Sequence, residues 1–541
     1  LMSRMVRLLE QGENPRHILA VTFTRRAAAD LERRLLALLD QDQIAPRADT
    51  LHAMAYEVWN RAYDQPPCIM DDESSLKIFN QANPHLKGAE LKGEFRRVQL
   101  EREKGREPGP EDEHGLAYSK LKAGWNLLDY TDLIHFWLEQ VKNQIYLTPY
   151  THILVDEIQD LTPLQLRLVM SLAGDNGNGF FAIGDPNQSI YGFRAAAENV
   201  QSIVHRSWSD LEVLELSDNY RSSQLVLDVA SDLLPEAPKL AAMRPPLTAV
   251  SPELVHFTGP SPAAEASWIG ERIRELIGGT AHWQADAQFT GDVSPGEIAI
   301  LLRMKAQIPQ IHRTLDRLGL PVAVPVNEPF WTDARVQNIL GAAAKFLGMD
   351  FDDVNDLEIP DTVLNKGPAD LENYFGQVGP FDRTFWDSRA FFNLKKAFKE
   401  QGGWPELISW INLTSELEMV TARAEKVQIM TMHAAKGLEF SCVFVPGLEE
   451  GIMPFYGVDA LTKGGSAPTR EQLEEEKRLL YVAITRAMDR LYLSSSTRRD
   501  LYGKTLEIGP SRFLTNLGQG IIRKSVLKGK KNIKAKQLSL C

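Results

Sequence analysis

The run ILVDEIQD places Asp156 and Glu157 directly after Ile153, Leu154 and Val155. A short apolar run of this kind reads as a strand buried in a parallel sheet, and its carboxyl end is the edge where open α/β folds bind ligands. An Asp at that edge can hold Mg2+, and the adjacent Glu can accept a proton from an attacking water, as in phosphoryl-transfer sites. The same pair would also serve as an ordinary helix N-cap. A second apolar run, GFFAI, leads into GDPNQSIYGFR. Gly184, Asp185, Pro186 and Asn187 are turn residues. Gln188 both donates and accepts hydrogen bonds, which suits it to sense a γ-phosphate or to orient a water. Tyr191 and Phe193 next to Arg194 show the aromatic–basic interleaving used to stack single-stranded bases. A tight turn followed by core aromatics would account for them equally.

Five further segments carry candidate chemistry. LSDNYRSS sets Tyr220 beside Arg221, a pair able to stack a purine and contact a phosphate, or simply a surface aromatic and an ion pair. TMHAAKGLEF carries Thr431, His433, Lys436 and Glu439 around Gly437. EEEKRLLYVAITRAMDRLYL reads as a helix bearing Arg486 that leads into a final strand. Arg486 is a candidate arginine finger, or a helix-face cation paired with an upstream glutamate. TFTRRAA crowds Phe23, Arg25 and Arg26 with two threonines at a strand–helix junction, and TLHA adds His52. Hydroxyls, cations and a helix N-terminus suit a phosphate backbone, while Thr24 alone would suffice as a helix cap.

These residues need sheets to position them. β-rich runs recur at HILAVTF, THILVDE, GFFAIGD, LEVLELS, EIAILLR and SCVFVPG, alternating with helix formers, which predicts α/β domains built on parallel sheets. Residues 50–150 and 331–425 are strand-poor and read as helical insertions. A chain of 541 residues is enough for three or four domains. The balance of 60 Lys+Arg against 72 Asp+Glu gives −12, which speaks against a uniformly basic nucleic-acid binder but not against a local basic track. Seven Lys/Arg without an acid between residues 523 and 536 make a basic tail, expected to be disordered. Three scattered cysteines fit a reducing, cytoplasmic setting. No run of 18 apolar residues is present to span a membrane.

TFTRRAA, TLHA, ILVDEIQD, GDPNQSIYGFRAA, LSDNYRSS, VQIMTMHAAKGLEF and EEEKRLLYVAITRA, in that order, resemble the UvrD/PcrA/Rep group of superfamily 1 DNA helicases. The resemblance implies a P-loop NTPase fold with two RecA-like parallel-sheet motor domains, residues 1–52 with 149–208 and 209–330 with 426–515. Each would carry a helical insertion, 53–148 and a shortened 331–425, followed by the tail 516–541. It implies ATP and Mg2+ in the cleft between the motors, 3′→5′ movement on single-stranded DNA, and unwinding of a duplex with a 3′ single-stranded tail, in repair or replication and alongside proteins of those pathways. Asp156 would ligand Mg2+, Glu157 would activate water, and Gln188, Arg221 and Arg486 would reach the γ-phosphate. Tyr220 would stack on adenine and Glu439 would lie near the ribose. Phe23, Arg25, Arg26, His52, Tyr191, Phe193, Arg194, Thr431 and His433 would line the DNA track. Arg25 stands where the group usually has Asn, and Phe193 where it often has Trp.

The phosphate-cradling GxxxxGK[ST] loop is missing from these 541 residues. Gly503-Lys504-Thr505 is a decoy, since Arg498 occupies the position of the loop's first glycine and LEIGP follows in place of a long helix. In the related group that loop and an adenine-reading Gln segment would precede Leu1. The expectation is therefore an N-terminally truncated helicase chain, ATPase-deficient as it stands. A non-catalytic DNA-binding scaffold and the motor part of a larger repair protein are the alternatives.

Overall fold

Strands that are apolar along their whole length form the centre of each half of the chain. The computed structural model describes residues 1–39, 44–63, 67–190, 200–244, 252–278, 293–324, 330–349, 359–375, 381, 383–386, 388–409, 411, 425–457, 468–501, 504–515, 517 and 523–526. Two compact units result, Leu1–Val213 with Val326–Val420, and Leu214–Pro325 with Thr421–Cys541.

The first unit holds a sheet of β1 (Ile18–Val21), β2 (Arg47–Asp49), β3 (His152–Val155) and β4 (Phe180–Ala182), in the order β2-β1-β3-β4 and parallel throughout. Side chains alternate between its faces, as a period of two requires. Leu19, Val21, Ile153 and Val155 pack with Leu51, Met54 and Trp137, so the helices Leu51–Ala62 and Tyr130–Lys142 cover one face. Ile18, Ala20 and Leu154 pack with Met5, Leu8 and Leu35 on the other. Where described, residues 51–142 are helices joined by loops, with two-residue strands at Cys68–Ile69 and Leu127–Leu128, and a separate small core of Met70, Phe79, Val98 and Tyr118 lies within them. Residues 330–411 are also helical where described, around Ile339, Phe385, Phe391 and Trp404.

The second unit holds β5 (Glu253–Gly259), β6 (Ile298–Leu302), β7 (Val322–Ala323), β8 (Val427–Thr431), β9 (Phe440–Val445), β10 (Ala487–Ser496) and, after the hairpin β11 (Arg498–Leu501) and β12 (Lys504–Glu507), β13 (Arg523–Val526). Their order is β7-β8-β6-β9-β10-β5-β13, again all parallel. The two RecA-like parallel-sheet units expected of the sequence are thus present.

Three local expectations change. LEVLELS forms no strand: residues 211–217 lack a ladder partner, and Leu214 and Leu216 are 75% and 84% exposed. Its apolar positions shift phase between Val213 and Leu214, so neither face is wholly apolar. Arg523–Val526, within the expected basic tail, instead forms a strand on the edge of the second sheet. β10 is therefore not the final strand, and Lys504 and Thr505 sit in a hairpin strand, not in a loop before a helix. Among the described residues no helix is long and apolar enough to cross a membrane.

A buried ion cluster holds the first helical segment together. Arg102 is 1% exposed and donates to Asp129 at 2.6 Å and Asp132 at 2.5 Å, while Lys122 donates to the same two carboxylates at 2.7 and 2.6 Å. Tyr118 adds a hydroxyl to Asp129 at 3.1 Å. Burial pushes the Asp129 carboxyl up, but the two cations overcome it and hold it well below the usual carboxylate range. Asp129→Ala would leave two buried cations short of a partner and is predicted to destabilise this unit by about 3–5 kcal/mol. Urea unfolding followed by circular dichroism checks this, and a shift within about 0.5 kcal/mol, as for a surface change, would contradict it.

Candidate nucleotide and nucleic-acid sites

Because β2, β1, β3 and β4 are parallel neighbours, the loops leaving their carboxyl ends lie side by side. They carry His52 after β2, Phe23 and Arg25 after β1, Asp156 and Glu157 after β3, and Asp185 and Gln188 after β4. Thr24 accepts the Ala27 N–H at 3.1 Å and Thr50 that of Ala53 at 3.3 Å, so both act as helix caps. Phe23 is half-buried and Arg25 exposed. The half-buried His52 ring meets Tyr130 edge-on, with centroids 5.5 Å apart. The Arg26 side chain and all of Tyr191, Phe193 and Arg194 lie outside the described residues.

Burial first, then the charge of Glu157, push the Asp156 carboxyl above its ordinary value. A cation would relieve both. Among the described residues no cluster of three or more His, Cys, Asp or Glu side chains could hold a metal alone. Mg2+ is usually bound through one or two carboxylates and completes its shell from phosphate and water, and the Asp156 carboxylate is a ligand of that kind. Glu157 has φ +51° and ψ +47°, a left-handed backbone that costs a residue other than glycine about 1–3 kcal/mol and tends to occur at functional sites. Its carboxylate accepts from Gln159 Nε2 at 2.5 Å. The next loop is organised by Asp185, which accepts from the Asn187 N–H at 2.9 Å and from Gln188 Nε2 at 2.8 Å.

In the second unit the Asn219 side chain accepts the N–H groups of Arg221 and Ser222 at 2.9 and 2.8 Å. Ser222 donates its hydroxyl to the Ala487 carbonyl at 2.7 Å, and the Ser223 N–H donates to Met488 at 2.7 Å. The NYRSS turn is thereby fastened to the amino end of β10. Arg221 Nε donates to Glu439 at 2.8 Å, and Tyr220 is 71% exposed. Arg486 follows the helix Arg470–Ile484 and is 1% exposed, its guanidinium donating to the carbonyls of Val482 and Leu438 at 3.1 Å each. Glu476 of that helix takes Arg303, bidentately, at 2.7–3.1 Å. Tyr220, Arg221, Glu439 and Arg486 thus gather where β9 and β10 begin.

Thr431 and His433 lie at the opposite, carboxyl edge of that sheet, at the end of β8 and just after it. Thr431 Oγ1 accepts the Ala434 N–H at 3.3 Å. Residues 432–439 then run between the edges, from the end of β8 to the start of β9, so one short segment joins the two groups of candidates.

The description UvrD/REP helicase N-terminal domain matches residues 1–206, and UvrD-like helicase C-terminal domain matches residues 389–498, together more than half of the chain. The chain belongs to the UvrD/Rep helicase family. Similar proteins include ATP-dependent DNA helicase UvrD2 of Mycobacterium tuberculosis (strain ATCC 25618 / H37Rv), 29% identical over 92% of this chain and 75% of the relative. DNA helicase II of Escherichia coli (strain K12) is 25% identical over 95% of this chain and 83% of its own length. ATP-dependent DNA helicase PcrA of Staphylococcus aureus (strain MRSA252) is 24% identical, over 96% and 83%.

Two side chains of this UvrD/Rep-family chain were passed over in the sequence. Gln159 is buried between the acidic pair and the next loop, and a glutamine two places after the pair was the available signal. Arg303 ends an apolar strand, the position at which Asp156 was noticed on another strand. Its charge acts on His433: burial first, then Arg303, push that imidazole down from 6.5 to about 4. His433 is therefore neutral near pH 7 and can take part in a hydrogen bond but carries no charge. A proton NMR titration of its ring is predicted to show no step between pH 5.5 and 8. A midpoint at its ordinary value would mean the ring is neither buried nor facing Arg303.

Proposed function

We propose that this protein is an ATP-dependent helicase that moves 3′→5′ on single-stranded DNA and opens duplexes carrying a 3′ single-stranded tail, in repair or replication. The observation that supports this best is the shared edge of the first sheet. It brings hydrolytic candidates, Asp156, Glu157 and Gln188, into line with strand-binding candidates, Phe23, Arg25 and His52. A motor must connect those two functions, and neighbouring parallel strands connect them through rigid backbone.

Asp156 would hold Mg2+, which when bound neutralises charge on the β- and γ-phosphate oxygens. Glu157 accepts the proton of the attacking water, and Gln188 orients that water or contacts the γ-phosphate. Arg221 exchanges Glu439 for the γ-phosphate, leaving Glu439 to the ribose, and the exposed Tyr220 ring stacks on adenine. Arg486 gives up carbonyl partners to reach the γ-phosphate, an exchange that makes its contribution depend on bound ATP. Phe23, Arg25 and Arg26, His52, Tyr191, Phe193 and Arg194, and Thr431 with the neutral His433 hold the strand by stacking and hydrogen bonds as well as by charge. The family resemblance supports this assignment of roles, and the names of the relatives support ATP-dependent action on DNA.

The 541 residues contain no GxxxxGK[ST] loop, so phosphate release by this chain alone is expected to be low with or without an oligonucleotide. Its single-stranded DNA binding is expected to weaken steeply with salt. On duplexes with one tail, the protein as its gene encodes it is expected to unwind the 3′-tailed form. Preference for the 5′-tailed form would contradict the proposed polarity, and robust DNA-stimulated turnover by the 541 residues alone would show that the loop is dispensable.

A further inference from the structure

Gln159 does more than fill space beneath the acidic pair. It is 4% exposed, and both ends of its side-chain amide are used. Nε2 donates to Glu157 at 2.5 Å, and Oε1 accepts the Asp185 N–H at 3.1 Å. Its main-chain carbonyl accepts the Ser189 hydroxyl at 3.3 Å. Asp185 in turn holds Gln188 at 2.8 Å. A hydrogen-bonded chain therefore runs Glu157–Gln159–Asp185–Gln188, entirely within the first unit.

Two features show that the surroundings are built for this chain. A Cβ on Gly184 would stand 2.4 Å from Gln159 Oε1, so the amide reaches the loop only because residue 184 has no side chain. Glu157 keeps a left-handed backbone, a conformation that persists in a residue with a side chain only where neighbours hold it. The Ile158 N–H bond to the Ile183 carbonyl at 3.1 Å, on the β4 side, is one such hold, and the Gln159 amide, itself fixed by the Asp185 N–H, is another.

We propose that Gln159 is a positioning residue that ties the proton-accepting Glu157 to the loop beginning at Asp185, so that the state of that loop sets the aim of the carboxylate. Ser189 lies two residues before Tyr191, the first aromatic candidate for stacking DNA. Occupancy of the strand by DNA thus has a short route to Glu157, one that passes through the Gln159 amide. The inference rests on the hydrolytic reading given above and adds to it the residue that makes hydrolysis depend on DNA.

Gln159→Glu keeps an oxygen facing the Asp185 N–H but loses the donor to Glu157. Gly184→Ala leaves Gln159 intact and displaces its amide. Each is compared with wild type, in the protein as its gene encodes it, for ATP turnover with and without an oligonucleotide and for affinity to that oligonucleotide. For both variants the expected result is a DNA-saturated kcat lower by at least about tenfold, with KM for ATP and oligonucleotide affinity within about threefold. The ratio of turnover with DNA to turnover without it should fall toward one. Retention of the wild-type ratio in both variants would overturn the inference while leaving the hydrolytic reading intact. Parallel loss of kcat, KM and DNA affinity would mark Gln159 as a packing residue and would overturn it as well. Wild type without DNA-stimulated turnover would overturn both the inference and the reading beneath it.

Discussion

β1 and β3 are buried on both faces, Leu19, Val21, Ile153 and Val155 under one layer of helices and Ile18, Ala20 and Leu154 under another. An ionised side chain on either face would lose its hydration without gaining a partner, so charge is confined to the strand ends. Because all four strands run the same way, their carboxyl ends form one polar rim. The acidic pair, the Gln188 loop and the Phe23 and His52 segments have nowhere else to be. Even the strained backbone of Glu157 follows from this, since the chain must turn at once from a buried strand into the 3-10 turn Ile158–Asp160.

The second sheet applies the same constraint at both edges. Glu439 and Arg486 immediately precede β9 and β10, while Thr431 ends β8 and His433 follows it. Residues 432–439 cover the distance between them with a single 3-10 turn, His433–Ala435, which leaves little slack for one end to move independently of the other. Three cations of this unit are already engaged: Arg221 by Glu439, Arg303 by Glu476, Arg486 by main-chain carbonyls. In the proposed cycle phosphate competes with these partners, so the resting protein holds its arginines in place without leaving them to repel one another.

Much of this was legible in the sequence. Uniformly apolar runs such as ILAV and CVFV can be satisfied only by a covered parallel sheet, and Thr24 caps its helix as its position suggested. LEVLELS was misread because alternation alone does not supply a ladder partner, and its phase slips between Val213 and Leu214. The Arg523–Val526 strand was hidden by composition: its charges suggested a solvated tail, while its backbone had an open edge to join. Arg486 was foreseen as a cation, but its burial against Val482 and Leu438 depends on how a helix ends against another loop, which spacing does not reveal. Gln159 escaped for the same reason. Its two partners are two and twenty-six residues away, and only the adjacency of β3 and β4 brings the second within reach.

The central claim is that Glu157, at the end of a buried strand, is the proton acceptor for ATP hydrolysis. Glu157→Gln in the protein as its gene encodes it tests this most directly, because the amide oxygen can still accept from Gln159 while the side chain can no longer take a proton. ATP binding and DNA-stimulated turnover are measured on the same preparation. The account predicts ATP affinity within about threefold of wild type and turnover lower by at least about a hundredfold; turnover within about threefold of wild type would contradict it.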